Sequence, residues 1–276
     1  MPDIFQLERI GNSRSNIVWK KEQEDKLIEL YKNGCSIRKI RELFGGIHYN
    51  TVKRILENHH VQLRTKAQSH YVDERNEDIF SVIDTEEKAY WLGFLCGDGC
   101  VYDNYIRISL KYNDIEHLKK FKSFLNAESI KIVQKGNYCS FSIGCKKMAD
   151  DLKKNGCVEK KSLILEPQKI KEEFYMDWIR GLWDADGGIS YIKKSNRWQS
   201  CLTSTKNVCN FFIEQLDINT KPFLEHRCSN TYRVQFNGRL NVLDKMNKIY
   251  KNDSAIIYLD RKYKLYKELL KTTLQQ

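Results

Sequence analysis

A short glycine-containing segment occurs twice in this 276-residue chain and constrains its fold more than any other feature. The copies are Trp91–Gly99 and Ile179–Gly187, and their final aspartates, Asp98 and Asp186, lie 88 positions apart. Each copy reads as the last turns of a helix, because apolar residues recur at helical spacing and glycine follows. One copy alone would predict a capped helix with solvated acids. Two copies predict two similar structural units in one chain.

Small residues four apart line one face of each predicted helix. They are Gly93 and Gly97 in the first copy, and Gly181 and Ala185 in the second. Such residues let another backbone approach closely, so we expect the two helices to cross there with their final aspartates side by side. Two nearby carboxylates repel each other unless a cation neutralises them, and hard oxygen ligands select Mg²⁺. The repeat therefore predicts a divalent-metal site at the helix crossing.

The same order of elements is predicted after each copy, so that each unit reads α-β-β-α-β-β-α. In the first unit the helices are 113–126 and 146–155, and the strands are 100–102, 105–111, 129–134 and 138–143. In the second the helices are 206–216, 240–250 and 258–270, and the strands are 189–193, 198–204, 223–227 and 231–236. We predict an α+β fold with two pseudo-symmetric units.

The predicted strands alternate between apolar and polar side chains. Ile106, Ile108 and Leu110 alternate with Arg107, Ser109 and Lys111, while Tyr232, Val234 and Phe236 alternate with Arg233 and Gln235. One face of each sheet is therefore expected to pack on helices, leaving the other polar and partly cationic. That face is either an ordinary solvated surface or one half of a saddle laid along duplex DNA.

The N-terminal segment predicts a small helical module. Residues Cys35–Leu56 read as helix, glycine-containing turn and helix, the arrangement that places a second helix in the major groove. Hydrogen-bonding and cationic residues at the start of that helix, and one beyond it, are candidate DNA contacts: Tyr49, Asn50, Thr51, Lys53, Arg54 and Arg64. The alternative is a helical bundle with an ordinary charged surface. We expect this domain over 1–67, a linker over 68–84, and repeat units over 85–168 and 169–276.

Composition favours a polyanionic partner. The chain carries 47 Lys and Arg against 36 Asp and Glu, a net charge of +11 and a pI near 9.1. Nucleic acid fits that balance. No apolar run approaches the roughly 20 residues of a membrane span, and residues 1–16 lack the apolar core of a secretory signal. Nine cysteines without a Cys-x-x-Cys pair indicate reduced thiols in an intracellular setting, cytoplasmic or organellar.

The two copies resemble the signature of the LAGLIDADG homing endonucleases, and the second is close to the consensus. With the elements that follow, the resemblance covers about residues 85–270. It implies a single-chain, monomeric, site-specific endonuclease that cuts double-stranded DNA at a long target site with Mg²⁺, using two or more ions. In that family the acids matching Asp98 and Asp186 bind the metals, assisted by the carbonyls at Gly97 and Ala185.

The resemblance also implies further site residues. Lys161 and Lys262 match a lysine that follows the helices of each unit, and either would stabilise the transition state or lie exposed near the DNA backbone. The polar sheet faces would read the target through residues that share donors or positive charge: Arg107, Ser109, Lys111, Lys193, Arg197, Gln199, Arg233 and Gln235.

The first copy departs from the pattern, because Cys96 stands where the second copy has Asp184. The first copy therefore keeps only the later, metal-binding acid of the motif, and Asp184 is expected to play a supporting role. Two alternatives remain open on the same fold: an RNA-splicing maturase, and a DNA-binding regulator that does not cleave.

Overall fold

A computed structural model describes residues 5–9, 17–64, 76–225 and 230–275. The chain divides into two compact units, residues 1–75 and 76–276. Each unit has a hydrophobic core of its own.

The first unit contains three helices in its described part. Two strands of two residues each pair antiparallel before them, and Leu27, Ile40, Val52 and Leu56 lie at the centre of their core. The Ser36 hydroxyl accepts a hydrogen bond from the Lys39 amide at 3.1 Å and starts the second helix. In chain order the elements are β1 (Glu8–Arg9), β2 (Ile17–Val18), α1 (Lys21–Lys32), α2 (Ile37–Leu43) and α3 (Tyr49–Asn58).

The second unit repeats one pattern of elements twice. Each half begins with a motif helix that runs directly into a strand, because glycine follows its final aspartate. The first half comprises α4 (Glu86–Gly97), β3 (Gly99–Val101), β4 (Tyr105–Lys111), α5 (Ile115–Phe124), β5 (Val133–Lys135), β6 (Tyr138–Gly144) and α6 (Lys146–Lys154). The second comprises α7 (Tyr175–Asp186), β7 (Gly187–Ile192), β8 (Arg197–Ser204), α8 (Lys206–Leu216), β9 (Phe223–Leu224), β10 (Tyr232–Asn237), α9 (Arg239–Ile249) and α10 (Asp260–Leu274).

The described strands of this unit form two four-stranded antiparallel sheets of the same topology, β3-β4-β6-β5 and β7-β8-β10-β9. The registers also correspond: Gly99 pairs with Ile108, and Gly187 with Leu202. Along β4 and β8 buried residues alternate with more exposed ones, as the sequence predicted. The predicted α+β fold with two pseudo-symmetric units is confirmed.

Several predicted boundaries differ from the structure, and two of these differences change how residues pack. Residues 76–84 were assigned to the linker, yet Ile79, Phe80 and Ile83 pack in the core of the second unit. Strand β5 begins at Val133 rather than at residue 129. The preceding residues instead form a turn, closed by a hydrogen bond from the Ile130 amide to the Ala127 carbonyl, and Ile130 packs on the core.

Within the part of the chain that the structure describes, no helix combines the length and apolar content needed to cross a lipid bilayer.

Candidate active site and nucleic-acid interface

Helices α4 and α7 pack almost backbone to backbone at the predicted crossing. A methyl group on Gly93 would lie 2.0 Å from the Trp178 carbonyl oxygen, and one on Gly181 would lie 1.9 Å from the Tyr90 carbonyl oxygen. Neither position has room for a side chain, and the atoms in the way belong to the facing backbone. Glycine at both positions therefore sets how closely the helices approach.

The crossing brings the C-terminal ends of both helices together with their aspartates. Asp98 follows the last residue of α4, and Asp186 is the last residue of α7. A methyl group on Gly97 would lie 2.3 Å from the Ala185 Cβ and 3.0 Å from the Asp186 Oδ2. Both aspartates are exposed. The structure thus gathers in one place the four residues predicted to bind metal.

The two carboxyl groups differ from ordinary exposed aspartates. Desolvation first, and then the negative charge of Asp98, raise the pKa of Asp186 to about 7. Desolvation also raises the pKa of Asp98, opposed by the positive charges of Lys262 and Arg261. Although both side chains reach solvent, the surrounding protein makes it unfavourable to ionise them together. A cation bound beside both carboxylates would remove that repulsion.

The available donors suit a hard divalent cation. Among the described residues, no group of three or more His, Cys, Asp or Glu side chains is arranged to hold a metal ion. The site instead offers two carboxylates and nearby backbone carbonyls. Mg²⁺ is commonly held by one or two carboxylates and takes its other ligands from water and substrate phosphates. The residues therefore fit magnesium, provided that a phosphate-bearing substrate completes its coordination.

Lys262, a predicted catalytic residue, is 2% exposed and binds the end of α7. Its Nζ donates to the carbonyl oxygens of Trp183, Asp184 and Gly187 at 2.7, 2.7 and 2.6 Å. These bonds use all three donors of the ammonium group. Burial lowers its pKa to about 8, so Lys262 stays protonated at neutral pH. It offsets the negative end of the helix dipole and fixes the backbone on both sides of Ala185.

Lys161 has the corresponding position in the first half. It is buried, and its Nζ donates to the carbonyl oxygen of Gly99, directly after Asp98. The sequence allowed either lysine to lie exposed near the DNA backbone. Both are instead buried and directed at backbone carbonyls beside the carboxylates. Their catalytic role stays a prediction. The sequence carried no sign of this arrangement, because the bonded carbonyls lie 62 or more positions earlier in the chain.

An arginine that the sequence analysis did not select lies close to the site. The Arg261 Nε donates to the Asp114 Oδ2 at 2.9 Å, while the arginine side chain stays 55% exposed. Its positive charge opposes the rise in the pKa of Asp98, as that of the neighbouring Lys262 does. In the sequence, only its position next to Lys262 marked Arg261 as a candidate site residue. Basic residues are too common in this chain for that position alone to identify it.

Asp184 and Cys96 occupy equivalent positions but have different surroundings. Asp184 is buried and accepts hydrogen bonds from the Tyr90 hydroxyl at 2.8 Å, the Tyr250 hydroxyl at 3.2 Å and the Leu259 amide at 2.7 Å. Cys96 is also buried, and a hydrogen bond with Cys157 is the main cause that raises its pKa. Asp184 therefore joins α7 to its neighbours, in keeping with the supporting role expected for it.

The polar faces of the two sheets carry seven of the eight DNA contacts predicted for the second unit. In the first sheet, strand pairing places predicted and additional residues on one face: Arg107, Ser109 and Lys111 with Tyr138, Ser140 and Ser142. In the second sheet, the corresponding face carries Arg197, Gln199, Arg233 and Gln235 with Cys201, Thr203 and Asn237. Lys193 lies in the turn between β7 and β8 and is exposed.

Arg233 is held by protein groups on its sheet face. Its Nη2 donates to the Cys201 Sγ at 3.2 Å, and its Nη1 lies 3.6 Å from the Glu225 Oε2. A DNA contact at Arg233 would have to compete with this ion pair. Sequence alternation correctly placed the residue on the polar face, but it gave no information about the partner on a neighbouring strand.

In the first unit, five of the six predicted DNA contacts lie on α3. Tyr49, Asn50 and Arg54 are exposed at the start of α3, and Thr51 and Lys53 are half-buried. Lys53 also forms an ion pair of 3.5 Å with a glutamate one turn later.

Arg64 is engaged with the protein itself. Its guanidinium donates to the carbonyl oxygens of Tyr31, Gly34 and Cys35 and lies 4.1 Å from the centre of the Tyr31 ring. These contacts secure the chain after α3 against the end of α1. The structure therefore gives Arg64 a role in holding the module together that sequence spacing did not reveal.

This architecture, with paired motif helices between two matching sheets, is the fold of the LAGLIDADG meganucleases. The crystal structure of the meganuclease I-SmaMI bound to uncleavable DNA with a TTCT central four shares it with a TM-score of 0.50. The two chains are 13% identical, and the match covers 67% of this chain and 90% of that one. For I-AabMI bound to uncleaved DNA the TM-score is 0.45, with 16% identity over 66% of this chain and 89% of that chain.

A sequence relative is also known. Uncharacterized protein MJ0314 of Methanocaldococcus jannaschii is 27% identical over 194 residues, which are 63% of this chain and 70% of that protein. No family model matches the chain.

Proposed function

We propose that this protein is a site-specific endonuclease for double-stranded DNA, of the homing type, that hydrolyses phosphodiesters with divalent metal ions between α4 and α7. The observation that carries the proposal is the pair Asp98 and Asp186 at the crossing of two helices that glycine brings together. Asp98 contributes to raising the pKa of Asp186 to about 7. Strongly perturbed pKa values cluster at functional sites, where charged groups are arranged for a task. The DNA-bound meganuclease with the same fold supports the same interpretation.

In the proposed mechanism, Asp98 and Asp186 would hold the metal, with the carbonyls of Gly97 and Ala185 as further oxygen donors. When bound there, it would supply the chemistry of an activated water and of charge stabilisation at the leaving 3′ oxygen. Lys262 fixes the backbone on both sides of Ala185 through its three carbonyl bonds. It thereby orients donor groups without touching the phosphate.

Arg261 is the cation that we assign to the phosphate. It is half exposed and directly precedes Lys262, its charge opposes the rise in the pKa of Asp98, and the buried Asp114 holds its Nε. A guanidinium fixed through Nε presents its terminal nitrogens to an anion in a defined orientation. Lys161 and Lys262 were the sequence candidates for this role, but both are buried against carbonyls.

The two polar sheet faces would bind the duplex on either side of the carboxylates. They carry arginine, lysine and hydroxyl or amide donors, as phosphate contacts and base reading require. A net charge of +11 favours association with DNA of any sequence, and the faces would then select the target. Because both motif helices belong to one chain, we propose that the protein acts as a monomer.

The first unit would add a second DNA contact. Helix α3 begins with the exposed residues Tyr49 and Asn50, and Arg54 is exposed one turn later. Helix α2 and the turn at residues 44–48 precede it, the order of elements in helix-turn-helix modules, where the second helix enters the major groove. We propose that this unit extends the length of target that the protein reads.

Cleavage of a plasmid library in Mg²⁺ tests the proposal. We expect the wild type to cut a defined site, and Asp98→Asn and Asp186→Asn each to reduce cutting by at least about 100-fold, because each removes a charged metal ligand. The amide variants keep side-chain shape, so their binding to the same DNA in Ca²⁺ serves as the control. A wild type that binds but never cuts, or a double variant that cuts equally well, would contradict the nuclease assignment. The first result would favour the non-cleaving regulator.

Substitution of Arg261 separates its role from that of the lysines. We expect Arg261→Gln to lower the single-turnover cleavage rate by about 100- to 1000-fold, the range for loss of one stabilising donor. Lys264→Gln, an exposed change one turn along the same helix, is the control. If Arg261→Gln cleaves at the wild-type rate, another residue contacts the phosphate.

A further inference from the structure

Two large side chains that carry no polar atom stand exposed on the polar faces of the described strands. Val133 in β5 is 61% exposed, and Phe223 in β9 is 46% exposed. Val133 pairs directly with Ser140, and Phe223 with Arg233. Residues paired across a ladder project to the same face, so both apolar side chains lie on the faces proposed to meet DNA.

The two positions correspond through the pseudo-symmetry of the unit. Gly99, which directly follows Asp98, pairs with Ile108, and Ile108 pairs with Phe141. Ser140, the residue before Phe141, pairs with Val133. In the second half, Gly187, which directly follows Asp186, pairs with Leu202, and Leu202 pairs with Val234. The residue before Val234 again pairs with the edge strand, here with Phe223. Val133 and Phe223 are therefore equivalent residues, placed the same number of strands from the two carboxylates.

Packing among the residues that the structure describes does not account for either side chain. Neither belongs to the hydrophobic core of the second unit or to the apolar residues packed against it. Both lie on edge strands, where an exposed apolar residue invites unwanted pairing with another chain and is normally replaced by a charged one. Apolar residues at both equivalent positions thus point to a ligand that covers them.

We propose that Val133 and Phe223 each contact the methyl group of a thymine in the major groove, at matching positions in the two halves of the target. The inference rests on the proposed DNA binding by the sheet faces. Among base edges in the major groove, the thymine 5-methyl is the apolar group, and aliphatic or aromatic side chains recognise it by contact. The neighbouring polar residues then bind phosphates or the hydrogen-bonding edges of other bases.

Target selection from a library of randomised duplexes tests this assignment. Bound in Ca²⁺, the full-length wild type is expected to enrich thymine at two positions equally distant from the centre of the site. Val133→Ser should lose that preference in one half of the site only, and Phe223→Ser in the other half only. Leu224→Ser is the matched control, since Leu224 is 48% exposed and pairs with Tyr232 on the opposite face of the same short strand.

Deoxyuridine then isolates the methyl group itself. Replacing one selected thymine by deoxyuridine removes only the methyl, so wild-type affinity should fall about fourfold, the value for burial of one methyl group. The serine variant of the same half should bind both duplexes equally, whereas Leu224→Ser should discriminate as the wild type does.

The possible failures are distinguishable. A wild type that enriches no sequence overturns the proposed function together with this inference. A wild type that selects a target but tolerates deoxyuridine throughout overturns only the thymine assignment. The same holds if both serine variants select the wild-type sequence at every position.

Discussion

At the scale of single residues, the candidate site depends on where charges are buried. Lys262 and Asp184 are both buried, and each is matched by several partners: three carbonyls for the lysine, and two hydroxyls with one amide for the aspartate. Asp98 and Asp186 lie close by, yet they are exposed. Hydrogen bonds within the protein thus stabilise the buried charges of Lys262 and Asp184, whereas the exposed carboxylates of Asp98 and Asp186 are available to a ligand.

Asp186 should make the metal-free protein less stable as the pH rises. Its pKa is raised from 3.8 to about 7 in the folded state, so between those values the folded state binds more protons than the unfolded one. Stability contributed by protonation is present at low pH and is lost as the pH rises through about 7. In urea unfolding with EDTA between about pH 5 and pH 8, the wild type should lose more stability than Asp186→Asn. Parallel curves for the two proteins would refute the assigned pKa.

Lys262 should contribute to stability apart from any reaction. Lys262→Met keeps much of the buried volume but leaves the carbonyls of Trp183, Asp184 and Gly187 without their donor. We expect a loss of about 3 kcal/mol in the free energy of unfolding in EDTA, because unsatisfied buried groups are costly. Lys264→Met on the exposed face of the same helix should change stability by less than about 0.5 kcal/mol. Equal stability of both variants would mean that the carbonyl bonds contribute nothing.

At the scale of elements, the approach of α4 to α7 sets the geometry of the site. Tyr90 in α4 donates to Asp184 in α7, so a polar bond as well as small residues joins the helices. Lys251 adds an ion pair to Glu86 in α4, at 2.6 Å, and one to Asp177 in α7, at 3.0 Å. These ion pairs hold the N-terminal parts of both helices, while the aspartates lie at their C-terminal ends.

Gly93→Ala tests how closely the helices must approach. The added methyl would lie 2.0 Å from a backbone oxygen of α7, so the helices would have to separate. We expect a loss of about 3 kcal/mol or more in the free energy of unfolding, the upper range for overpacking. Gly144→Ala is the control, since the nearest atom to its added methyl is 4.0 Å away. Thermal unfolding that shows equal stability for both variants would contradict this packing.

At the scale of the whole molecule, the chain consists of two units with separate cores. The core of the second unit includes Phe80 and residues from both repeat halves, so these halves fold as one body. The first unit has its own core around Leu27 and Val52. Separate cores indicate that either unit can keep its structure without the other.

Removal of residues 1–75 tests this division. We expect residues 76–276 to unfold cooperatively and to cleave DNA, but to bind it with a weaker salt dependence. The slope of log affinity against log salt should fall by about 0.9 for each phosphate that the first unit binds in the full chain. Asn50→Ala with Arg54→Ala in the full chain provides a comparison that leaves the first unit folded. If the slope is unchanged both in residues 76–276 and in the doubly substituted full chain, the first unit does not bind DNA.

The amino-acid sequence by itself determined the repeat, the fold class and the polar faces of the sheets. These features are local or periodic: glycines four apart allow a close helix crossing, and alternation with a period of two assigns each strand residue to a face. Asp98 and Asp186 follow from the same reasoning, because each directly ends a motif helix.

Only the tertiary structure decided which long polar side chains face inward. Lys161, Lys262 and Arg64 were predicted at the DNA or the reaction centre, but their nitrogens bind backbone carbonyls that lie 29 to 79 positions earlier in the chain. Arg261 was overlooked, although the fold brings Asp114 to its Nε from 147 positions away. Such side chains are long and flexible, and their position depends on which unsatisfied carbonyl or carboxylate the folded chain brings within reach. That information arises only when distant segments meet.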